Sequence, residues 1–94
     1  MAVNFRFGIL TFTRGVNDLV AESTPFTKFV LTSLRRHCHG DWGDVCAEDR
    51  AANNRAVVEG TRILSAYDTK DLPKIWIITE ADRSVTTVLF PDEY

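Results

Sequence analysis

Four side chains that can bind a metal ion or move a proton lie within five residues, at His37, Cys38, His39 and Asp41. Imidazole, thiolate and carboxylate groups are the ligand types that zinc prefers in proteins. Residues two apart on a helix point to different sides, so shared coordination would require the helix to end before His39. We therefore expect His37 to cap or pack against its helix, His39 to be solvated, and no metal or other cofactor to be bound.

The same histidines could instead perform acid–base catalysis. A small toxin-like ribonuclease could use His37 or His39 to move a proton, while Arg83 stabilises the anionic transition state. Against this, the four acids between residues 41 and 49 would repel an RNA backbone. No paired catalytic spacing accompanies the histidines. We keep the ribonuclease as an alternative, and the leading hypothesis is a protein without catalytic residues.

The segment of residues 41–49 is acidic and contains a tryptophan. Its four acids are not balanced by any base, and Trp42 stands between two glycines. An exposed indole is a strong anchor for a protein partner, and surrounding carboxylates attract a basic surface. The alternative is that Trp42 packs into the core and that the acids merely cap the next helix. The residues expected to bind a partner are Asp41, Trp42, Asp44, Glu48 and Asp49.

Composition limits the class of protein. The 94 residues carry a net charge of −2, with 45% hydrophobic and 26% charged residues, which is typical of one soluble domain. Direct nucleic-acid binding is not expected at this charge. No apolar run approaches the roughly 20 residues of a membrane span, and the N-terminus lacks a signal peptide's apolar stretch. We expect a single domain over residues 1–94, located in the cytoplasm, with Cys38 and Cys46 as free thiols.

The elements that must position these side chains begin with a C-terminal hairpin. Two runs rich in β-branched and aromatic residues, 75–78 and 85–90, flank a polar break, a pattern typical of paired strands. Both faces of the first run are apolar, which predicts a strand inside the sheet. Residues 62–67 predict a neighbouring strand, with a polar turn over 68–73. Period-two alternation predicts another strand over residues 4–12, with Gly8 as a bulge.

Two strong helices and one short helix lie between these strands. Thr24 and Pro25 predict the start of a helix whose inner face includes His37. Residues 47–59 predict a second helix with an inner face of small residues, and residues 13–21 a short one. Together these elements predict an α+β fold with an antiparallel sheet of three or four strands and two main helices on one face.

The amino-acid sequence of the C-terminal two thirds resembles that of a family of small proteins from plasmids and integrative elements. Members of this family are usually labelled plasmid-related or uncharacterised. The resemblance lies in residues 40–44 (GDWGD), 48–53 (EDRAAN), 60–67 (GTRILSAY) and 75–94. Cys46 departs from the family pattern, in which Ser or Asp starts the helix. The family has no settled activity, so the resemblance implies a bacterial mobile-element setting and assigns no catalytic role.

Small accessory proteins of mobile elements often bind host defence machinery, and by this analogy we expect an anti-restriction or anti-CRISPR inhibitor. In this hypothesis the acidic segment, with Trp42, occupies a basic nucleic-acid site on a host defence protein. A third hypothesis is a structural module that forms a homodimer through an edge strand.

Overall fold

Four strands and three helices form residues 5–94, the part of the chain that the computed structural model describes; residue 4 of the predicted first strand lies outside it. The elements are β1 (Ile9–Phe12), α1 (Arg14–Glu22), α2 (Thr24–Cys38), α3 (Ala47–Glu59), β2 (Ile63–Thr69), β3 (Leu72–Thr79), β4 (Val85–Leu89) and a 3₁₀ turn (Pro91–Glu93). The order confirms the predicted α+β fold.

The sheet has the order β1-β4-β3-β2. β3 pairs antiparallel with both β2 and β4, so the predicted central strand is confirmed. β1 pairs parallel with β4, which makes the sheet mixed and corrects the prediction of a purely antiparallel one. Tight turns fix the antiparallel direction of the last three strands, whereas β1 reaches β4 only after the helices and two further strands. No local signal in the sequence sets its direction.

Strand boundaries differ from the prediction at two turns. Gly8 has φ of +67°, and a Cβ there would lie 2.3 Å from the Ser84 carbonyl oxygen, so β1 begins only after this close approach. The polar turn between β2 and β3 is shorter than predicted. Lys70 and Asp71 alone separate the two strands, and Asp71 has the positive φ that such a tight turn requires.

The helices begin at sequence signals close to those predicted. α2 is capped by Ser23, whose side chain accepts a hydrogen bond from the Phe26 N–H at 3.2 Å; the prediction that Thr24 caps it was one residue off. α3 has the predicted bounds, and Gly60 ends it with φ of +75°. The predicted inner face of α3 was Ala47, Ala51, Ala52 and Ala56. Ala56 is buried as predicted, but the other three alanines are exposed, and Asn53 is buried instead.

The main core lies on one face of the sheet. Side chains of α1 and α2 pack there against alternate residues of the three C-terminal strands. The buried residues are Val16, Phe26, Val30, Leu34, Tyr67, Ile75, Ile77 and Val88. α3 lies instead at the β2 end of the sheet, where Trp42, Ala56 and Ile63 form a second, smaller cluster.

Candidate functional site

His37 lies in the last turn of α2, and its ring is fully buried, with 0% of its surface exposed. Its Nδ1 lies 2.5 Å from Ser65 Oγ on β2, and its Nε2 lies 2.8 Å from Thr79 Oγ1 on β3. Both nitrogens are therefore satisfied inside the protein. The helix periodicity that placed His37 with the apolar residues of α2 contained the signal for this burial.

The protonation state of His37 follows from the chain of hydroxyls beyond it. Thr86 Oγ1 donates its one hydrogen to the Phe7 carbonyl at 2.8 Å, so Thr79 must donate to Thr86 across their 2.7 Å contact. Thr79 then has only lone pairs left for His37, whose Nε2–H donates to it. Nδ1 is left to accept from Ser65. The hydroxyl chain thus places a hydrogen on Nε2, and burial of the ring favours the neutral form, in which Nδ1 carries none.

Aromatic rings surround this imidazole. The centroids of Phe5, Trp42 and Phe7 lie 5.2, 5.8 and 6.3 Å from that of His37. Burial among them and, to a smaller extent, the positive charge of Arg83 disfavour the charged form and together lower the His37 pKa from 6.5 to about 3. In this conformation the imidazole cannot exchange a proton with an external RNA, as the ribonuclease hypothesis would require.

Arg83 is also occupied by internal contacts. Its Nη2 donates to the Ala56 carbonyl near the end of α3 at 2.8 Å, and its Nη1 donates to the Thr61 carbonyl at 2.7 Å and the Glu80 carbonyl at 3.1 Å. The Ala56 carbonyl also accepts from the Gly60 N–H at 2.8 Å, and the C-terminal end of a helix favours a nearby cation. The structure thus uses Arg83 to join the β3–β4 turn to α3, and its donors do not face a phosphate site.

Trp42 is only 2% exposed, which corrects the expectation of an indole free to dock and agrees with the alternative that it packs into the core. Its Nε1–H donates to Asn54 Oδ1 at 2.9 Å, and its ring stacks on Phe5 at 6.1 Å. Packing of α3 over this ring leaves it unavailable to a partner protein.

The backbone around Trp42 covers part of the β2 edge. The Ala66 N–H donates to the Trp42 carbonyl at 3.2 Å, and the Asp44 N–H donates to the Ala66 carbonyl at 2.7 Å. Two residues further along β2, the Asp68 N–H donates to Asp44 Oδ2 at 2.8 Å. Asp44 therefore serves the sheet edge, a structural role that the sequence analysis did not assign to it.

Asn53 covers the remaining part of that edge. Its side-chain amide donates to the Leu64 carbonyl at 2.7 Å and accepts from the Leu64 N–H at 3.2 Å. One amide thus replaces both bonds of a neighbouring strand. The role of Asn53 was not predicted. The one indication of it in the sequence is that asparagine, which has a low helix propensity, stands in the middle of a predicted helix.

The four acids of residues 41–49 have different environments. Asp41 accepts from Arg36 Nε at 2.7 Å and Nη2 at 3.1 Å, and this bidentate contact lowers the Asp41 pKa. Glu48 and Asp49 are exposed in the first turn of α3. Within residues 5–94, neither lies within 4.0 Å of a lysine or arginine nitrogen. Asp44 is exposed and has no ion pair either, but its carboxylate accepts from the Asp68 N–H. Of the four acids, Glu48 and Asp49 alone are exposed with neither an ion pair nor a side-chain hydrogen bond within residues 5–94.

The remaining residues of the predicted site are not assembled into a metal site. His39 is exposed just after α2, and both cysteines are free. Cys46 starts α3, where its Sγ accepts from the Asp49 N–H at 3.4 Å, in place of the oxygen cap typical of this position. In the part of the chain that the structure describes, no three His, Cys, Asp or Glu residues could share a metal ion.

Comparisons of the chain with protein families, curated proteins and solved structures found no match. No helix within residues 5–94 combines the length and apolar character needed to cross a bilayer.

Proposed function

We propose that the chain is a non-enzymatic accessory protein of a bacterial mobile element that inhibits a host restriction or CRISPR protein in the cytoplasm. In this proposal it binds the host protein directly and covers a basic nucleic-acid site with carboxylates. The observation that supports it best is the exposed acidic turn of α3, Glu48 and Asp49, which lacks ion pairs within residues 5–94. Exposed carboxylates attract a basic surface and speed its encounter.

The structure changes the mechanism that the sequence suggested. Trp42 is buried, and Asp41 and Asp44 hold the loop and the sheet edge in place. Replacing either acid would therefore disturb the fold together with any binding. The proposed contact consists of Glu48 and Asp49, whose substitution leaves the side-chain contacts of the core intact.

The test is a transformation assay in a bacterium whose restriction or CRISPR system destroys an incoming plasmid. Expression of the wild-type chain should raise transformation efficiency if it inhibits that system. Glu48→Lys/Asp49→Lys should return the efficiency to that of cells without the chain, because the reversed charges repel a basic surface. Purified wild-type chain should also bind the inhibited defence protein, with an affinity that falls as salt rises.

Glu59→Lys is the matched control, since it reverses an exposed acid on the same helix about 16 Å from Glu48. It should inhibit like the wild type. Equal activity of the Glu48→Lys/Asp49→Lys protein, with its fold verified by circular dichroism, would contradict the proposed surface.

The sheet edge favours homodimer formation as a second candidate function. β1 has β4 as its one strand neighbour in residues 5–94, and parallel pairing turns the backbone groups of Leu10 and Phe12 outward. Ile9 is 67% and Leu10 42% exposed. Light scattering of the wild type, compared with a Leu10→Pro variant that removes an outward N–H, would detect such a dimer.

A further inference from the structure

A groove with a volume of about 610 Å³ is lined by residues of α1, β3 and the 3₁₀ turn and includes neither Glu48 nor Asp49. One wall is a face of α1 formed by Gly15, Asp18, Leu19 and Glu22, which recur at the helical spacing of three and four. The start of β3 and the 3₁₀ turn form the other walls. Its volume is in the range of roughly 300–1,000 Å³ that is typical of ligand sites.

The groove is held open by Glu93. Its carboxylate accepts hydrogen bonds from Thr13 Oγ1 at 2.5 Å, Phe90 N–H at 2.9 Å and Gly15 N–H at 3.0 Å. These bonds fasten the 3₁₀ turn to the start of α1 and lower the Glu93 pKa. A Cβ at Gly15 would lie 2.8 Å from Glu93 Oε2, so a larger residue there would displace this carboxylate. The groove therefore exists before any ligand arrives.

The lining combines apolar surface with unpaired charge. Leu19 and Phe90 are half-buried and line the groove. Asp18, Glu22 and Asp92 are exposed around it, and no cation of residues 5–94 lies within 4.0 Å of their carboxylates. Lys74 supplies the one basic side chain of the lining. Three acids against one lysine leave a net charge of −2, which favours a cationic ligand with apolar parts and repels phosphates.

The dimensions favour a short extended peptide. From Gly15 to Glu22 the helix rises about 10 Å, which is close to the length of three residues of extended chain. Asp18 and Glu22 lie four residues apart on one face, roughly 6 Å between their Cβ atoms, and can flank a single guanidinium. An arginine's planar fork suits two carboxylates better than the point charge of a lysine does.

We propose that this groove binds a basic segment of a partner protein in which an arginine lies between apolar residues. The arginine contacts Asp18 and Glu22, and its apolar neighbours pack on Leu19 and Phe90. This site shares no residue with the proposed Glu48 and Asp49 contact, so either proposal can fail without the other.

The test uses the acetylated and amidated peptide Leu-Arg-Leu-Arg-Leu, with Leu-Glu-Leu-Glu-Leu as its acidic control. Titration of the ¹⁵N-labelled full chain should shift the amide signals of Gly15, Leu19 and Lys74 in a saturable way, and the acidic peptide should not. Asp18→Asn/Glu22→Gln should weaken the binding of the basic peptide by about fivefold, as expected for losing two exposed charge contacts. Lys74→Gln should tighten it, because the competing cation is removed.

Glu59→Gln/Asp68→Asn removes the same charge at two exposed positions outside the groove and is the matched control, with a dissociation constant expected to stay at the wild-type value. The amide spectra also report whether each variant is folded. Three results would overturn the proposal. The two acid-pair variants could weaken peptide binding equally, the shifted amide signals could lie away from the groove, or binding could fail to saturate up to about 5 mM peptide.

Discussion

Acidification should destabilise this protein through His37 before its carboxylates begin to protonate. In the folded state burial lowers the His37 pKa to about 3, whereas in the unfolded chain the ring titrates near its ordinary 6.5. Between these values the unfolded state binds a proton that the folded state does not. The free energy of unfolding must therefore fall as the pH falls, and it is fully retained only above the unfolded pKa.

The size of this effect follows from the two pKa values. Below pH 6.5 the loss approaches about 1.4 kcal/mol for each pH unit, and it amounts to about 2 kcal/mol between pH 7 and pH 5. That is a large fraction of the 5–10 kcal/mol expected for roughly one hundred residues. Below pH 5 the hydrogen-bonded carboxylates Asp41, Asp82 and Glu93, whose pKa values are also lowered, add their own loss.

Urea unfolding at pH 7, 6 and 5 measures the slope. His37→Gln should be less stable at pH 7 and nearly independent of pH in this range, since an amide does not titrate. His39→Gln changes the other histidine of the chain, at an exposed position, and should keep the wild-type slope. If the His37→Gln variant is too unstable for unfolding curves, the ring proton signals of His37 in the wild type measure its folded pKa directly.

Two results would refute the reasoning. Wild-type stability that stays constant from pH 7 to pH 5 would mean that the folded protein accepts the proton. A His37 ring signal that titrates near pH 6 would show that the folded protein accommodates an imidazolium, with Ser65 Oγ accepting from the added Nδ1–H.

Three other contacts give testable predictions. Asn53→Ala should lower the free energy of unfolding, measured in urea, by about 2–3 kcal/mol, because both backbone groups of Leu64 lose their partner. Asn54→Ala, at the exposed neighbouring position, tests separately the loss of the hydrogen bond to Trp42. Arg83→Lys should lower stability by about 1–2 kcal/mol, since an ammonium cannot reach the same set of carbonyls as the guanidinium, and unchanged thermal unfolding would contradict this. Glu93→Gln should speed hydrogen exchange of the Gly15 amide by about fivefold without global unfolding.

The hairpin and the helices could be predicted because their signals are local. Apolar residues on both faces of the run indicated the central position of β3, and Gly60 indicated the end of α3. The direction of β1 has no such signal, because its partner strand lies more than seventy residues further along the chain. Helical spacing placed His37 on the apolar face of α2, but Ser65 and Thr79, which fix its tautomer, lie on strands that the fold brings together.

Trp42 illustrates why the candidate site was harder to predict than the fold. A tryptophan between glycines and acids is compatible with a surface anchor and with a core residue, and only the position of α3 decides between them. The roles of the acids also depend on tertiary contacts. Asp41 accepts a hydrogen bond from Arg36 and Asp44 accepts one from the Asp68 N–H, whereas Glu48 has no such contact within residues 5–94. Sequence identifies the charges, whereas tertiary contacts determine which of them remain available.

The two ends of the sheet differ in a way that limits how copies of the chain can associate. A polymer can grow by strand pairing only if every subunit has two sheet edges with unpaired backbone groups. Within residues 5–94, Asn53 and the loop around Trp42 cover the β2 edge of the sheet, and no strand pairs with the outer edge of β1. If two copies paired through β1, both unpaired β1 edges would be used. The resulting eight-stranded sheet would have only the two covered β2 edges at its sides. Growth by strand pairing of the folded chain therefore stops at two copies, which protects it from forming fibrils by this route even at high expression.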